Sequence, residues 1–411
     1  MSTVGRSRPF NQNNNMTLKS RRLSSVDAFR AITMLLMIFV NDLILDSRIP
    51  DWLEHAREGE DRLGFADIIF PAFLFIVGLS IPLAIRQGRE RGFSHGMTLW
   101  HILRRSFALL VMGFFLVNYE EYTKEPAMIN QWGFLLIITL AFFFVWLAYP
   151  ERWPDWKKWL FRGIGIAALV WMAVIFKGGS PEHPMGLKPH WWGILGLIGW
   201  SYLTGALLYF FIGDRLPVLA FFFLYFVVFS VGASAEWSWF RPVEQYLTLR
   251  SGGLSAFTMA GVMTTVYYKR MSDAGNARKG LMVLACFVPV LIAAGFLLRP
   301  FGGIAKLGDT PSWILICTGI SVAGLIVLAY VTDIQNKQNW WRLIKPAGTI
   351  TLTCYLLPDI HIAIIKLLGP AVRLPEFLRT GGVGILKSLI FAFLIVLLTG
   401  VLEKKKIKLS V

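Results

Sequence analysis

The chain has 411 residues, of which 55% are hydrophobic, 14% aromatic and only 16% charged, with a formal net charge of +16 at pH 7. Soluble domains carry roughly 25% charged residues, so a mean hydropathy of +0.57 excludes a water-soluble globular protein. Apolar stretches long enough to span a bilayer, about 20 residues each, recur between residues 27 and 402 with the charges between them.

The expected fold class is therefore all-α, a polytopic transmembrane helical bundle of about 12 helices (10–12). Residues 1–26 form a basic, Asn-rich tail without the apolar core of a signal peptide, and are expected to be a disordered cytosolic segment. Spans are expected at about 27–46, 65–86, 99–118, 131–149, 159–176 and 191–212, then at about 216–233, 254–268, 280–298, 312–331, 346–368 and 383–402. The eighth is short for a span and the fifth is marginal. Residues 403–411 close the chain as a second basic tail.

Lys and Arg alternate along this order. They crowd the first tail (Arg6, Arg8, Lys19, Arg21, Arg22), the 2–3 connection (Arg86, Arg89, Arg91, Arg104, Arg105) and the 4–5 connection (Arg152, Lys157, Lys158, Arg162). They recur at Lys269–Lys279, at Lys337, Arg342 and Lys345, and at Lys404–Lys408. By the positive-inside rule both termini are cytosolic, and most of the net charge is a topology signal. Nucleic-acid binding is excluded as a function, since no soluble basic domain exists to perform it. The link Gly213–Pro217 is too short to be the long central loop of a twelve-helix facilitator, and no fixed-period repeat is visible. Cys286, Cys317 and Cys354 lie in apolar stretches and read as small buried hydrophobes, with neither a disulfide framework nor a zinc spacing. No metal is expected.

Ionisable groups within a span are costly, about 2.5–3.5 kcal/mol at the bilayer centre, and are functional candidates by default. With a rise of about 1.5 Å per residue, Asn41 and Asp42 lie roughly 21 Å beyond Asp27, near the outer face. Asp67 falls in the first turn of helix 2, and Asp359 and His361 reach a similar depth just after Pro358. His55 sits in the outer loop between helices 1 and 2. Each has a plainer reading: Asp67 as a partner of the helix dipole, Asn41 as a helix-end cap, Asp359 and His361 as hydrogen-bonders at the proline kink, His55 as a wet loop residue. Asp27 and Arg30, three apart, pair on one helix face as either an anchor or an anion site. His183, His190, His95 and His101 read as surface residues.

Beyond these chemical patterns, Arg22–Arg30 followed by Met37–Asn41 resembles the opening of the heparan-α-glucosaminide N-acetyltransferase family. The next block, His55-Ala56 and then Gly64-Phe65-Ala66-Asp67-Ile68-Ile69-Phe70-Pro71, resembles its second element, with weaker likeness at Pro311-Ser312-Trp313 and Lys345-Pro346-Ala347-Gly348. The resemblance implies a transmembrane acyltransferase of the bacterial cytoplasmic membrane. Its co-substrate is cytosolic acetyl-CoA and its acceptor a sugar or glycan on the far side. The lipid bilayer and, as an open option, a second copy of the chain complete the expected partners.

The resemblance places the family's catalytic histidine on His55 and its polar neighbours on Asn41 and Asp67. His55 is the expected general base, Asp67 its orienting partner and Asn41 a donor to the thioester oxyanion. An acetyl-histidine intermediate remains an alternative. Asp27, Arg30, Arg104, Arg105, Arg342 and Lys345 are the expected coenzyme A contacts, and Trp313, Asp359 and His361 the expected acceptor contacts. The sequence departs from the family at Ala31, in the charged spacer Arg57–Arg62, and at Thr349-Ile350; the family's large lumenal N-terminal domain has no counterpart here. A transporter or flippase for a sugar or lipid-linked glycan is the rival reading.

Overall fold

The structure is a computed structural model that describes residues 23–123, 128–179, 183–190, 193–235, 252–372 and 374–411. The expected first tail lies outside these, apart from its last few residues. Eleven of the twelve expected spans each fall on one helix and the eleventh falls on two. The helices are α1 (Ser24–Leu43), α2 (Ala66–Glu90), α3 (His95–Glu120), α4 (Gln131–Trp146), α5 (Asp155–Ile175), α6 (Ile194–Ile212) and α7 (Leu216–Ser234). Then follow α8 (Gly253–Asp273), α9 (Ala277–Leu297), α10 (Pro311–Ala329), short α11 (Lys345–Thr349), α12 (Thr351–Leu368) and α13 (Gly381–Lys404). Among the described residues, nine helices are long and apolar enough to cross a membrane. The chain is an integral membrane protein.

Three expectations need correction. The eighth span is a full helix of 21 residues, not a short one. It reads weakly because Ser255, Thr258, Thr264 and Thr265 lower its hydropathy, yet these residues are buried against other helices and never meet lipid. The eleventh span is not continuous. Ile350, with φ −124° and ψ 53°, separates α11 from α12, and a Cβ on Gly348 would overlap the Asp27 carbonyl, so this break is pressed against the start of α1. Cys286 is exposed, while Cys317 and Cys354 are buried; in a membrane protein an apolar stretch can face lipid rather than the core.

The bundle's centre is a backbone-to-backbone contact between α2 and α8. A Cβ on Gly78 would overlap the Thr258 carbonyl, and one on Gly261 the Phe75 carbonyl. Such close approach by small residues is the usual basis of tight helix packing in lipid, and Thr265 adds a hydrogen bond to the Leu79 carbonyl at 2.9 Å. At one end of α1, Arg30 donates to Asp27 (3.3 Å), the Gly348 carbonyl (3.2 Å) and Ser80 (2.5 Å), joining α1 to α2 and α11. The last residues dock as an extended segment beside the end of α4, with Ser410 N donating to the Trp146 carbonyl at 2.8 Å.

Candidate active site

The loop that carries His55 is built from both flanks. Phe65 N donates to the Trp52 carbonyl at 2.7 Å, and Gly64 lies so close to the Glu54 carbonyl that a Cβ there would overlap it. Arg62 donates to the Asp51 carbonyl, to the His55 carbonyl at 3.3 Å and to Glu60 at 3.1 Å. His55 Nδ1 then lies 2.6 Å from Asp67 Oδ1, with the histidine side chain 30% exposed and the carboxylate 1%. The second carboxylate oxygen accepts from Ala56 N at 2.9 Å and Gly64 N at 3.1 Å. Asp67 is thus saturated by the loop whose imidazole it holds. An ionised carboxylate can only accept, so this hydrogen bond uses an Nδ1–H, and Nε2 is the ring nitrogen without a hydrogen-bond partner among the described residues.

The Asp67-x-x-x-Pro71 spacing has a backbone consequence. In an α-helix the amide of residue 71 would bond the carbonyl of residue 67, and proline has no amide hydrogen. The freed Asp67 carbonyl accepts instead from Trp313 Nε1 at 3.1 Å. Trp313 is buried, packed edge-on against Phe257 at 5.0 Å. Its indole N–H is engaged on Asp67, while the side chain forms part of the cavity wall.

That cavity has a volume of about 200 Å³ and is lined by Asn41, His55, Lys306, Asp309 and Trp313 among apolar residues. Asn41 is exposed to it and makes no side-chain hydrogen bond among the described residues, so it is not a helix-end cap here. Sequence reasoning missed Lys306. Its Nζ lies 3.2 Å from His55 Nδ1 and 4.0 Å from Asp67 Oδ1. With the Nδ1 proton directed at Asp67, the Lys306 contact is a charge beside the ring rather than a second hydrogen bond. Burial pulls the Lys306 pKa below the ordinary lysine range, against the opposing pull of Asp67 and Asp309.

Lys306 reaches this position because Asp61 clasps its loop. Asp61 accepts from Ile304 N at 2.7 Å and from Arg299 Nε at 2.8 Å, and these two partners hold its carboxyl below the usual range. Gly303, at φ 71°, packs on Asp61 where a Cβ would crowd it. Asp61, in the charged spacer Arg57–Arg62, is therefore the fastener of the Lys306 loop. The signal for Lys306 would have been a cation, one of two with Arg299, in a loop that the Lys/Arg alternation assigns to the cation-poor side.

Asp359 and His361 do not enter this cavity. They line an adjoining one of about 800 Å³ between α1, α12 and α13, which shares Met37 and Asn41 with the first. A third cavity, of about 70 Å³, also reaches Met37 and is lined by Met34, Arg105, Tyr202 and Thr351. Arg105 lies over the Tyr202 ring at 4.9 Å. Arg104, Arg342 and Lys345 are exposed, whereas Arg30 and Asp27 are engaged with each other and with neighbouring helices. His190 pairs with Glu121 at 3.1 Å, His101 stacks on Phe93, and His95 packs edge-on against Phe210. Among the described residues, no three His, Cys, Asp or Glu side chains are grouped to hold a metal ion.

Residues 22–184 match a family described only as a domain of unknown function, DUF5009. That stretch includes Asn41, His55, Asp67, Arg104 and Arg105; Lys306 and Trp313 lie beyond it. The chain is 29% identical over 204 residues to the heparan-alpha-glucosaminide N-acetyltransferase of Mus musculus, covering 43% of this chain and 29% of that protein. It is 28% identical over 187 residues to the enzyme of the same name from Homo sapiens, covering 40% and 27%. The chain thus spans less than a third of the length of these relatives, and over that part it is their distant relative.

Proposed function

We propose that this protein is a transmembrane acyltransferase that moves an acetyl group from cytosolic acetyl-CoA to an amino sugar or glycan on the opposite side of the membrane. The observation that carries this reading is the His55–Asp67 pair, with Nε2 free at a cavity also lined by Asn41 and Lys306. In the step proposed, the acceptor nitrogen or oxygen bonds to the acetyl carbonyl carbon while its proton passes to His55 Nε2. The carbon–sulfur bond then breaks, and the coenzyme A thiolate regains that proton. Asn41 and the Lys306 ammonium face the space where the carbonyl oxygen gains negative charge. Asp67 keeps the imidazole oriented and stabilises its charged form.

The donor's path is supported by the small cavity between Arg105 and Met37. Met34 to Asn41 spans about 10 Å of helix rise, so a pantetheine arm entering beside Arg105 would follow α1 toward His55. Arg104, Arg105, Arg342 and Lys345 would meet its phosphates. The same file of cavities would also suit a transporter, and turnover separates the two. Purified protein given labelled acetyl-CoA and a glucosamine-terminated acceptor should transfer the label. Neither transfer nor exchange of acetyl groups would overturn the enzyme reading.

Sidedness has its own test. In a Cys286→Ser background, Glu58→Cys should react with a membrane-impermeant maleimide from outside intact cells and Lys405→Cys should not. Both residues are exposed, so labelling on one common side would refute the topology.

A further inference from the structure

The larger cavity has an order that the reaction alone does not require. Its volume is about 800 Å³ and most of its lining is apolar. On α13, Leu386, Ile390 and Leu394 recur every four residues and so share one helix face. They line the cavity, yet they are 57%, 50% and 57% exposed. The wall they form is therefore open at the side, where in a membrane the neighbour is lipid. From Lys387 to Leu394 the wall runs about 10 Å along the helix.

The cations gather at one end, while Asp359 and His361, seven and five residues before Lys366 on α12, line the same cavity. Asp42 ends α1, Lys366 ends α12, and Arg379 and Lys387 flank the start of α13. Lys387 is paired with Asp42 at 2.7 Å and Asp46 at 2.9 Å, and Ser388 bonds the same two carboxylates at 2.7 and 3.0 Å. Arg379 Nε lies 3.8 Å from Asp46 and its Nη2 donates to the Leu45 carbonyl, which leaves Nη1 of this exposed side chain to face outward. Lys366 is exposed too, and its described contact is the Trp132 ring at 5.3 Å. The paired charges are structural. Lys366 and the outward part of Arg379 leave a positive rim, which complements a phosphate. At this polar end Asn41 lines both this cavity and that of His55.

We propose that the larger cavity binds the lipid tail of a lipid-linked acceptor, which enters sideways between α12 and α13 and presents its sugar to His55 past Asn41. This rests on the acyltransferase reading and names its substrate class. The tail lies along Leu386, Ile390 and Leu394, a phosphate linker meets Lys366 and Arg379, and the sugar stands at the level of Asn41. A water-borne glycan would need none of the apolar wall.

The test compares methyl glucosaminide with dodecyl glucosaminide as acceptors for the full-length protein in nanodiscs. The dodecyl compound should show a KM lower by about tenfold, the effect of burying a few methylenes. Ile390→Trp, which fills the cavity, should collapse that preference toward one. Leu389→Trp, on the neighbouring helix face, should preserve it. Equal KM values in the wild type, or equal loss of preference in both tryptophan variants, would overturn the proposal. Native mass spectrometry of dodecyl glucosaminide binding provides a readout without turnover. Binding to the wild type that Ile390→Trp abolishes would uphold the tail site even if acetyl transfer failed. Only tightly held phospholipid, not exchanged by the dodecyl compound in either protein, would refute it.

Discussion

The polar groups around Asn41 and the cations Arg104, Arg105, Arg342 and Lys345 are arranged in opposite ways. Around Asn41 the polar groups interlock: both carboxylate oxygens of Asp67 and its main-chain carbonyl are engaged, and Asp61 fastens the loop that brings Lys306 to His55. The four cations are exposed, and Arg105 rests on a tyrosine ring. Proton transfer depends on reacting atoms held within hydrogen-bond reach, which the first arrangement supplies. Phosphate capture depends on cations that can reach outward, which the second supplies. Under the proposed function, the contrast puts chemistry in the first region and charge recognition in the second, and each part of that proposal can be broken separately.

The largest effect is expected at His55. His55→Ala should lower acetyl transfer about 10²–10⁴-fold, the usual loss on removing a general base, with folding and coenzyme A binding near wild type. Asn41→Ala should cost less, because it removes one donor from a site that keeps the Lys306 charge, and Asp67→Asn should fall between the two. Rates at matched folded concentration decide it. A His55→Ala protein retaining more than about a tenth of the wild-type rate would transfer the base to another residue.

Lys306 sharpens the same region through pH. Lys306→Met should lower the rate about 10–100-fold, in the range of losing one oxyanion donor. Because burial depresses its pKa, the ammonium releases its proton below the ordinary lysine range. Activity that needs the charged form therefore falls as pH rises through that lowered value. The basic limb of the profile should vanish in Lys306→Met and move to higher pH in Lys306→Arg. A limb unchanged in the methionine variant would leave Lys306 as loop structure only.

Much of this was legible in the residues themselves. The twelve apolar stretches all fall on helices, and nine helices among the described residues are long and apolar enough to cross a membrane, because lipid demands helices of about that length. His55, Asn41 and Asp67 could be placed at one depth by counting rise along α1 and α2. Lateral order was not legible. Asp359 and His361 share that depth but line the neighbouring cavity, since helix rise says nothing about rotation around the bundle. Lys306 was hidden because its position depends on the Asp61–Ile304 hydrogen bond, a contact across 243 residues. Trp313 was expected to touch the acceptor, and its wall position is compatible with that proposal, but its N–H on Asp67 follows from a missing amide at Pro71.

In the second region, replacing Arg104 and Arg105 together with Gln should weaken acetyl-CoA binding by about tenfold, as loss of charge-assisted bonds to phosphate would. Acceptor affinity should change little. Calorimetric titration of the folded variant checks this, and an unchanged Kd would reduce both residues to topology anchors. Arg105 should dominate, because it alone of the two lines the cavity leading to Met37.

The smallest effect in rate tests why the first region is rigid. Trp313→Phe removes the N–H that satisfies the Asp67 carbonyl but keeps an aromatic ring against Phe257. The carbonyl then keeps only the long contact from the Cys317 thiol at 4.0 Å; a buried acceptor so poorly satisfied costs up to about 1–3 kcal/mol, so stability should fall by that order and the rate by only a few-fold, through a less firmly held Asp67. Pro71→Ala supplies a new N–H at the helical position that reaches the same carbonyl. If the freed carbonyl is the cause, the double variant should recover part of the stability lost in Trp313→Phe, giving a coupling energy of about 0.5–3 kcal/mol between residues that share an acceptor. Strictly additive losses would mean that Trp313 acts by packing alone. The rigidity of Asp67 would then rest on the His55 loop, through Ala56 N and Gly64 N, rather than on the proline that follows it.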